Sequence, residues 1–143
     1  MFLSEIVKVI KVADHSASAG TEVDSTGVDT AGYAGVLFFT SLSVANAGNY
    51  LTVQQSSDNG VADTFDDLTG SKVLSGASDE DLWTDVQAPG KRYVRVAIIR
   101  AGAATTCESI WAILYGPNVA PMSNVLTGTI AGAAHLAPAE GTA

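Results

Sequence analysis

Apolar and polar residues alternate with a period of two along most of this chain, and that period predicts strands. "EIVKVIKVA" at 5–13 puts Val7, Val9 and Lys11 on one face and Ile6, Lys8, Ile10 and Val12 on the other, and its β-branched density favours a strand or extended arm over a helix. "YAGVLFFTSLSV", from Tyr33, reads as a buried strand. "YLTVQQSS" alternates next, with Leu51, Val53 and Gln55 against Thr52, Gln54 and Ser56. "SDNG" at 57–60 is a turn signal, because Asn-Gly tolerates positive φ. "ASDEDLWTD" reads as an acidic loop, and "PG" at 89–90 as another turn.

The clearest strand is "KRYVRVAIIRA". Arg92, Val94, Val96, Ile98 and Arg100 share a face that points to a core, with the two arginines at its rims. Lys91, Tyr93, Arg95, Ala97 and Ile99 share the mixed face. Arg95 lies mid-strand, where an unpaired charge is costly, so a cross-strand carboxylate is its expected partner. "CESIWAILYG" follows, with Ile110, Ala112 and Leu114 on one face and Trp111, Ile113 and Tyr115 on the other.

Short strands with turn cues at this spacing predict an all-β fold, an antiparallel β-sandwich or jelly roll with extended terminal arms. The expected division is an N-terminal strand or arm at 1–13, a sandwich at 14–117 and an extended tail at 118–143. The tail is rich in Ala and Gly, has one charge, Glu140, and lacks the bulk for its own core.

The chain has 143 residues and a formal charge of −8. Four of its seven basic residues are Lys91, Arg92, Arg95 and Arg100; without them three basic groups face fifteen acidic ones. Such a surface repels polyanions, and the four cations split between two strand faces, so nucleic acid is not an expected partner. No uninterrupted apolar run reads as a membrane span, so no membrane partner is expected either. Cys107 is the single cysteine and has no intrachain partner for a disulfide.

Candidate chemistry is sparse. His15 and His135 lack a Cys, Glu or His at metal-ligand spacing, and Cys107 reads as a buried, inert thiol. Asp58, Asp63, Asp66 and Asp67 miss the calcium-loop spacing and read as a solvated hairpin loop; Asp79, Glu80, Asp81 and Asp85 read the same way. No phosphate loop or nucleophile elbow occurs. The residues therefore point to no catalytic, metal or cofactor site. Trp83 and Tyr50 are the aromatics available to stack on a sugar from a loop, although a tryptophan more often packs at the edge of a sandwich.

The order of motifs adds a resemblance. An apolar strand, "LTVQQSSDNG", "FDDL", an acidic segment, "GKRYVRVAI" and a last strand ending in "AILYGPNVAPM" follow one another. This resembles a group of small tailed-bacteriophage virion proteins, over about residues 24 to 122. In that group a K-x-Q-E-S-D-D-G-like hairpin precedes a G-K-K-R-Y-V-R strand and a closing G-x-P-x-x-A-P. Gln55 stands where an acidic residue is common, Asn59 replaces a second Asp, and the tail beyond Met122 is longer than the pattern requires. The resemblance implies capsid decoration, or cementing, on the outer surface of the head. The partners implied are the major capsid protein and further copies of the chain, as a homotrimer. Tyr93 and Arg95 on the strand, and Met122, Val125, Leu126, Ile130 and Leu136 in the tail, are the side chains expected at such contacts. The arrangement is also similar to discoidin-like jelly rolls, where an Asp-Gly turn and an aromatic precede "RYVR". That similarity implies a glycan-binding module for host attachment.

Overall fold

The computed structural model describes every residue of the chain except Val125, Thr127, Pro138, Ala139, Thr142 and Ala143. A 3-10 turn, Leu3–Glu5, leads into twelve strands: β1 (Val7–Ala13), β2 (Ser16–Ala19), β3 (Val23–Asp24), β4 (Val28–Asp29), β5 (Gly35–Leu42), β6 (Asn46–Ser56), β7 (Asp66–Asp67), β8 (Val73–Ser75), β9 (Glu80–Gln87), β10 (Tyr93–Arg100), β11 (Thr105–Cys107) and β12 (Ile110–Tyr115).

Several of these are pieces of one lane. β1 and β2 line the same edge of β12 and β11, β3 and β4 both pair with β10, and β7 and β8 both pair with β6. The first sheet then runs β1/β2, β11/β12, β5, β9, and the second runs β3/β4, β10, β6, β7/β8, with every pairing antiparallel. Numbered by lane along the chain, the sheets read 1-8-3-6 and 2-7-4-5. This is the jelly roll, in which two Greek keys fold two four-lane sheets against each other.

The core forms where the alternating faces meet. Val36, Phe38 and Leu42 of β5 and Ile110, Ala112 and Leu114 of β12 pack against Leu51 and Val53 of β6 and Val94, Val96 and Ile98 of β10. The apolar side chains expected inward on β10 are the ones that point there, and on β12 the buried face is that of Ile110, Ala112 and Leu114. Asn59 and Gly60 have φ of 63° and 79°, as the Asn-Gly signal requires.

Two readings are corrected. "ASDEDLWTD" is not a loop: Glu80–Gln87 is a full strand, paired along its length with β5. Leu82 faces the core at 2 % exposure, while Asp81, Trp83 and Asp85 are exposed. As the outer lane of its sheet, β9 carries acids that discourage edge-to-edge pairing. Arg100 is not at a solvent rim either, since it is 2 % exposed and bonded to the carbonyl groups of Ala17, Thr21 and Thr105. Segment 1–13, set apart by its sequence, contributes β1 to the sandwich through pairing with β12.

The tail leaves β12 at Gly116 and turns back along β1. Met122 N–H donates to the Glu5 carbonyl (2.6 Å). Asn124 Oδ1 accepts from Val9 N–H (2.8 Å), and its Nδ2 donates to the carbonyls of Ser4 (2.7 Å) and Val7 (3.1 Å). One carboxamide thus satisfies part of the open backbone edge of β1.

Candidate functional site

The basic residues of β10 and its approach are all engaged within the chain. Lys91 Nζ donates to both Asp63 oxygens (2.9 and 2.8 Å). Arg92 makes a two-pronged pair with Asp29 (2.9 and 2.7 Å), and Arg92 holds that carboxyl below its usual range. Arg95 Nε donates to Gln54 (2.7 Å), its Nη2 lies 3.1 Å from Asp24, and its guanidinium sits 4.4 Å above the Phe65 ring. The carboxylate expected opposite Arg95 is therefore Asp24. Tyr93 and Arg95 are half-buried on the outer face of the second sheet. A phosphate backbone would have to displace these internal partners one by one.

The acidic hairpin is organised by its own backbone. Asp58 accepts from the N–H groups of Val61 (3.0 Å), Ala62 (2.8 Å) and Asp63 (3.2 Å). Asp63 accepts from Ser57 N–H (2.7 Å) and from Lys91. The Lys91 bond, with Ser57, lowers the Asp63 pKa to about 2. A carboxyl depressed in the folded state adds stability above its unfolded pKa of about 3.9, and that stability is lost as pH falls through the folded value. Unfolding of the native chain is therefore expected to ease between about pH 4 and pH 2. Asp63→Asn should flatten that part of the profile, as measured by urea midpoints across the range; an unchanged acid limb would show that Asp63 contributes nothing to it.

Elsewhere, Cys107 is fully buried, and burial pushes its thiol pKa up, away from nucleophilic use. His15 Nδ1 contacts Glu108 (3.0 Å) in the open, and His135 is exposed in the tail. Among the described residues, no three His, Cys, Asp or Glu side chains converge as a metal site. No helix among them is long and apolar enough to cross a membrane.

The outward face of the first sheet is unusual. Registers place Trp83, Phe39, Trp111 and Lys11 in one row across β9, β5, β12 and β1, and Asp85, Leu37, Ile113 and Val9 in the next. The third row is Gln87, Gly35, Tyr115 and Val7. Here the Tyr115 ring lies across Gly35 and its Oη donates to Asp85 (2.7 Å). A β-carbon at residue 35 would stand 2.7 Å from the Val86 carbonyl and against the same ring, so only glycine leaves room. The solvent side of this sheet is thus largely apolar, with Trp83 64 % and Phe39 39 % exposed. Trp83 was expected at a packed edge and both sugar-stacking candidates on loops; instead Trp83 stands open on β9, and Tyr50 lies on β6 with the Lys72 ammonium 3.9 Å from its ring centroid.

The tail borders this face. Val9 and Trp111 form one side of an open cleft of about 430 Å³, and Met122, Leu126 and Ile130 contribute to the other. Met122 is half-buried with its Sδ 3.9 Å from Tyr33 Oη, Leu126 is 55 % exposed and Leu136 83 %. Val125 lies outside the described residues. The other tail side chains expected at contacts therefore divide, Met122 and Ile130 partly covered and Leu126 and Leu136 open. The alternation of β5, β9 and β12 carried the signal for the apolar face, since their outward positions read Leu37, Phe39, Trp83, Trp111 and Ile113 in the sequence.

No protein-family model matches this chain, and no curated protein does. Among solved structures it is similar to a chain from the Bacillus endospore appendages, a family of disulfide-linked pili. That match has 20% identity and a TM-score of 0.42, over 77% of this chain and 88% of that one. It is also similar to a chain of infectious bursal disease virus, Gx strain, with 15% identity and a TM-score of 0.43, over 80% of this chain. This chain spans about a third of the viral one, 35%. Both likenesses are distant.

Proposed function

We propose that this chain is a non-catalytic structural protein that decorates the outer surface of a bacteriophage head, binding the major capsid protein and assembling as a homotrimer. The observation that carries this reading is the pairing of an apolar outward sheet face with a charge-free tail segment beside it, on a domain whose remaining surface is acidic. A decoration protein works by covering area across several shell subunits, where many weak contacts act together. A threefold ring closes a head-to-tail interface. Negative charge elsewhere keeps such a particle soluble and leaves the genome to other proteins. The motif order from "SSDNG" through β10 to the tail supports the same reading.

Labelled antibody on intact particles tests the placement: signal over the whole head is expected, and signal confined to the tail would overturn it. Truncation after Met122 is expected to abolish trimerisation or retention on capsids, measured as copies per particle after gradient purification. Full occupancy by the truncated chain would remove the tail from the mechanism.

A second reading, a glycan-binding module for host attachment, is favoured by one observation, the open aromatic pair Trp83 and Phe39 side by side across β9 and β5. A glycan array without signal sets it aside.

A further inference from the structure

We infer that the outward face of the β9-β5-β12-β1 sheet is a self-association surface, and that its occupant is a second copy of this chain, whose tail lies over the β5-β9 half. The inference rests on the self-association in the reading above, but takes it as a face-to-face twofold pair in place of the threefold ring, so its failure leaves capsid decoration standing.

Strands with one solvated side alternate, whereas strands covered on both sides read as continuous apolar runs. β5 contains the run "GVLFF" and β12 is "IWAILY", and the two are neighbours in the middle of the sheet. Their outward side chains, Leu37, Phe39, Trp111 and Ile113, meet no second layer comparable to the core on their other side. A sugar platform accounts for the aromatics but not for Leu37, Ile113, Val7 and Val9, so the aliphatic content favours a protein partner.

Three observations make that partner another copy. First, among the described residues the chain's own tail borders the β1-β12 half, and it leaves a cleft above Val9 and Trp111 instead of filling it. The face is therefore stepped, with a tail-bearing half and a bare half, Phe39 and Trp83. A twofold axis parallel to the strands sets the tail-bearing half of each copy on the bare half of the other. Second, the same axis lays β9, with Asp81 and Asp85 outward, over the partner's β1, a strand that carries no acid and whose Lys11 is paired with Asp14 (2.7 Å), so no like-charged strands face each other. Third, the tail is suited to the role. Residues 118–139 carry no charge, so they desolvate no ion on an apolar sheet. Twelve extended residues reach up to about 40 Å, more than twice the width of four lanes. The sheet face alone offers roughly 400 Å², below the roughly 800 Å² per partner of a stable dimer, and the tail supplies the remainder.

Analytical ultracentrifugation of the full chain, alongside Trp83→Arg and Leu126→Asp, tests this. Both side chains are exposed, and circular dichroism and thermal melting confirm that each variant folds. The parent is expected to be a dimer, and each variant to associate at least about tenfold more weakly; a trimer overturns the twofold arrangement. A parent that stays monomeric at its solubility limit overturns both the face and the self-association, as does a monomer that instead binds polysaccharide through Trp83. A parent oligomer that both variants leave unchanged overturns the face alone. The tail contact has its own readout. Trp83→Cys and Leu126→Cys chains, mixed and oxidised, are expected to form the crossed disulfide, which only a contact between chains can give; its absence overturns the tail's part.

Discussion

Replacing Arg100 with methionine is expected to lower stability by roughly 3 kcal/mol, a fall of roughly 10 °C in melting temperature for a domain of this size. The guanidinium ends the core-facing row of β10, beyond Val94, Val96 and Ile98. Its Nε donates to Thr21 O (2.6 Å) and its Nη2 to Thr21 Oγ1 (3.2 Å), while Nη1 is shared between Ala17 O and Thr105 O (2.9 Å each). One side chain thus ties β10 to β2, to the β2–β3 connection and to β11. Methionine fills much of the volume and buries no charge, yet leaves three inward carbonyls without their donor, and that term dominates. Lysine has a single donor group on a different geometry and should recover only part of the loss. Calorimetry of the three proteins decides the matter. A loss below about 1 kcal/mol for methionine would show that water takes over the carbonyls.

The second large effect is expected at Asn49, the cross-strand neighbour of Arg100 and 0 % exposed. Its Oδ1 accepts from the N–H groups of Gly102 and Ala103 (3.1 Å each), and its Nδ2 donates to Ala103 O (2.9 Å). The side chain closes the β10–β11 turn, where a β-carbon at Gly102 would stand 2.6 Å from the Gly48 backbone. Asn49→Ala removes three bonds from one tight turn and should cost about 2–4 kcal/mol in urea unfolding. Because Asn49 and Arg100 support the same end of the sandwich, the double variant should lose less than the two singles combined. Strict additivity would mean that the two act as separate supports.

These two residues also show where pattern reading stops. Period two located the strands found at Val7–Ala13, Gly35–Leu42, Tyr93–Arg100 and Ile110–Tyr115, and it set the inward face of β10. Arg92 and Arg100 end the same face of the same strand, so alternation treats them alike. The difference comes from what folds over each end: Arg92 meets Asp29 in the open, while the β2–β3 connection covers Arg100. That is a contact across about 80 residues, and no local spacing encodes it. β9 failed for the opposite reason. Its alternation was present, with Leu82, Thr84 and Val86 between Asp81, Trp83 and Asp85, but the density of acids outweighed it. On an outer lane those acids are tolerated because their side of the strand meets water. For the site, the tail's sparse charge was legible, whereas the outward placement of the aromatics and their meeting on one face depend on registers that join residues 9, 37, 85 and 113.

The pairing of β1 with β12 has a kinetic consequence. β1 finds its neighbour only across an intervening span of about 100 residues, since Val7 meets Tyr115 and Ile10 meets Ala112. Loop closure over such a span must precede the contacts that reward it, so this sheet is among the slow, high-contact-order topologies that fold over milliseconds to seconds. In this sheet β12 lies between β1 and β5, so the two join only once β12 has been made. Completion of the domain, and with it exposure to other copies, is then timed by the emergence of β12.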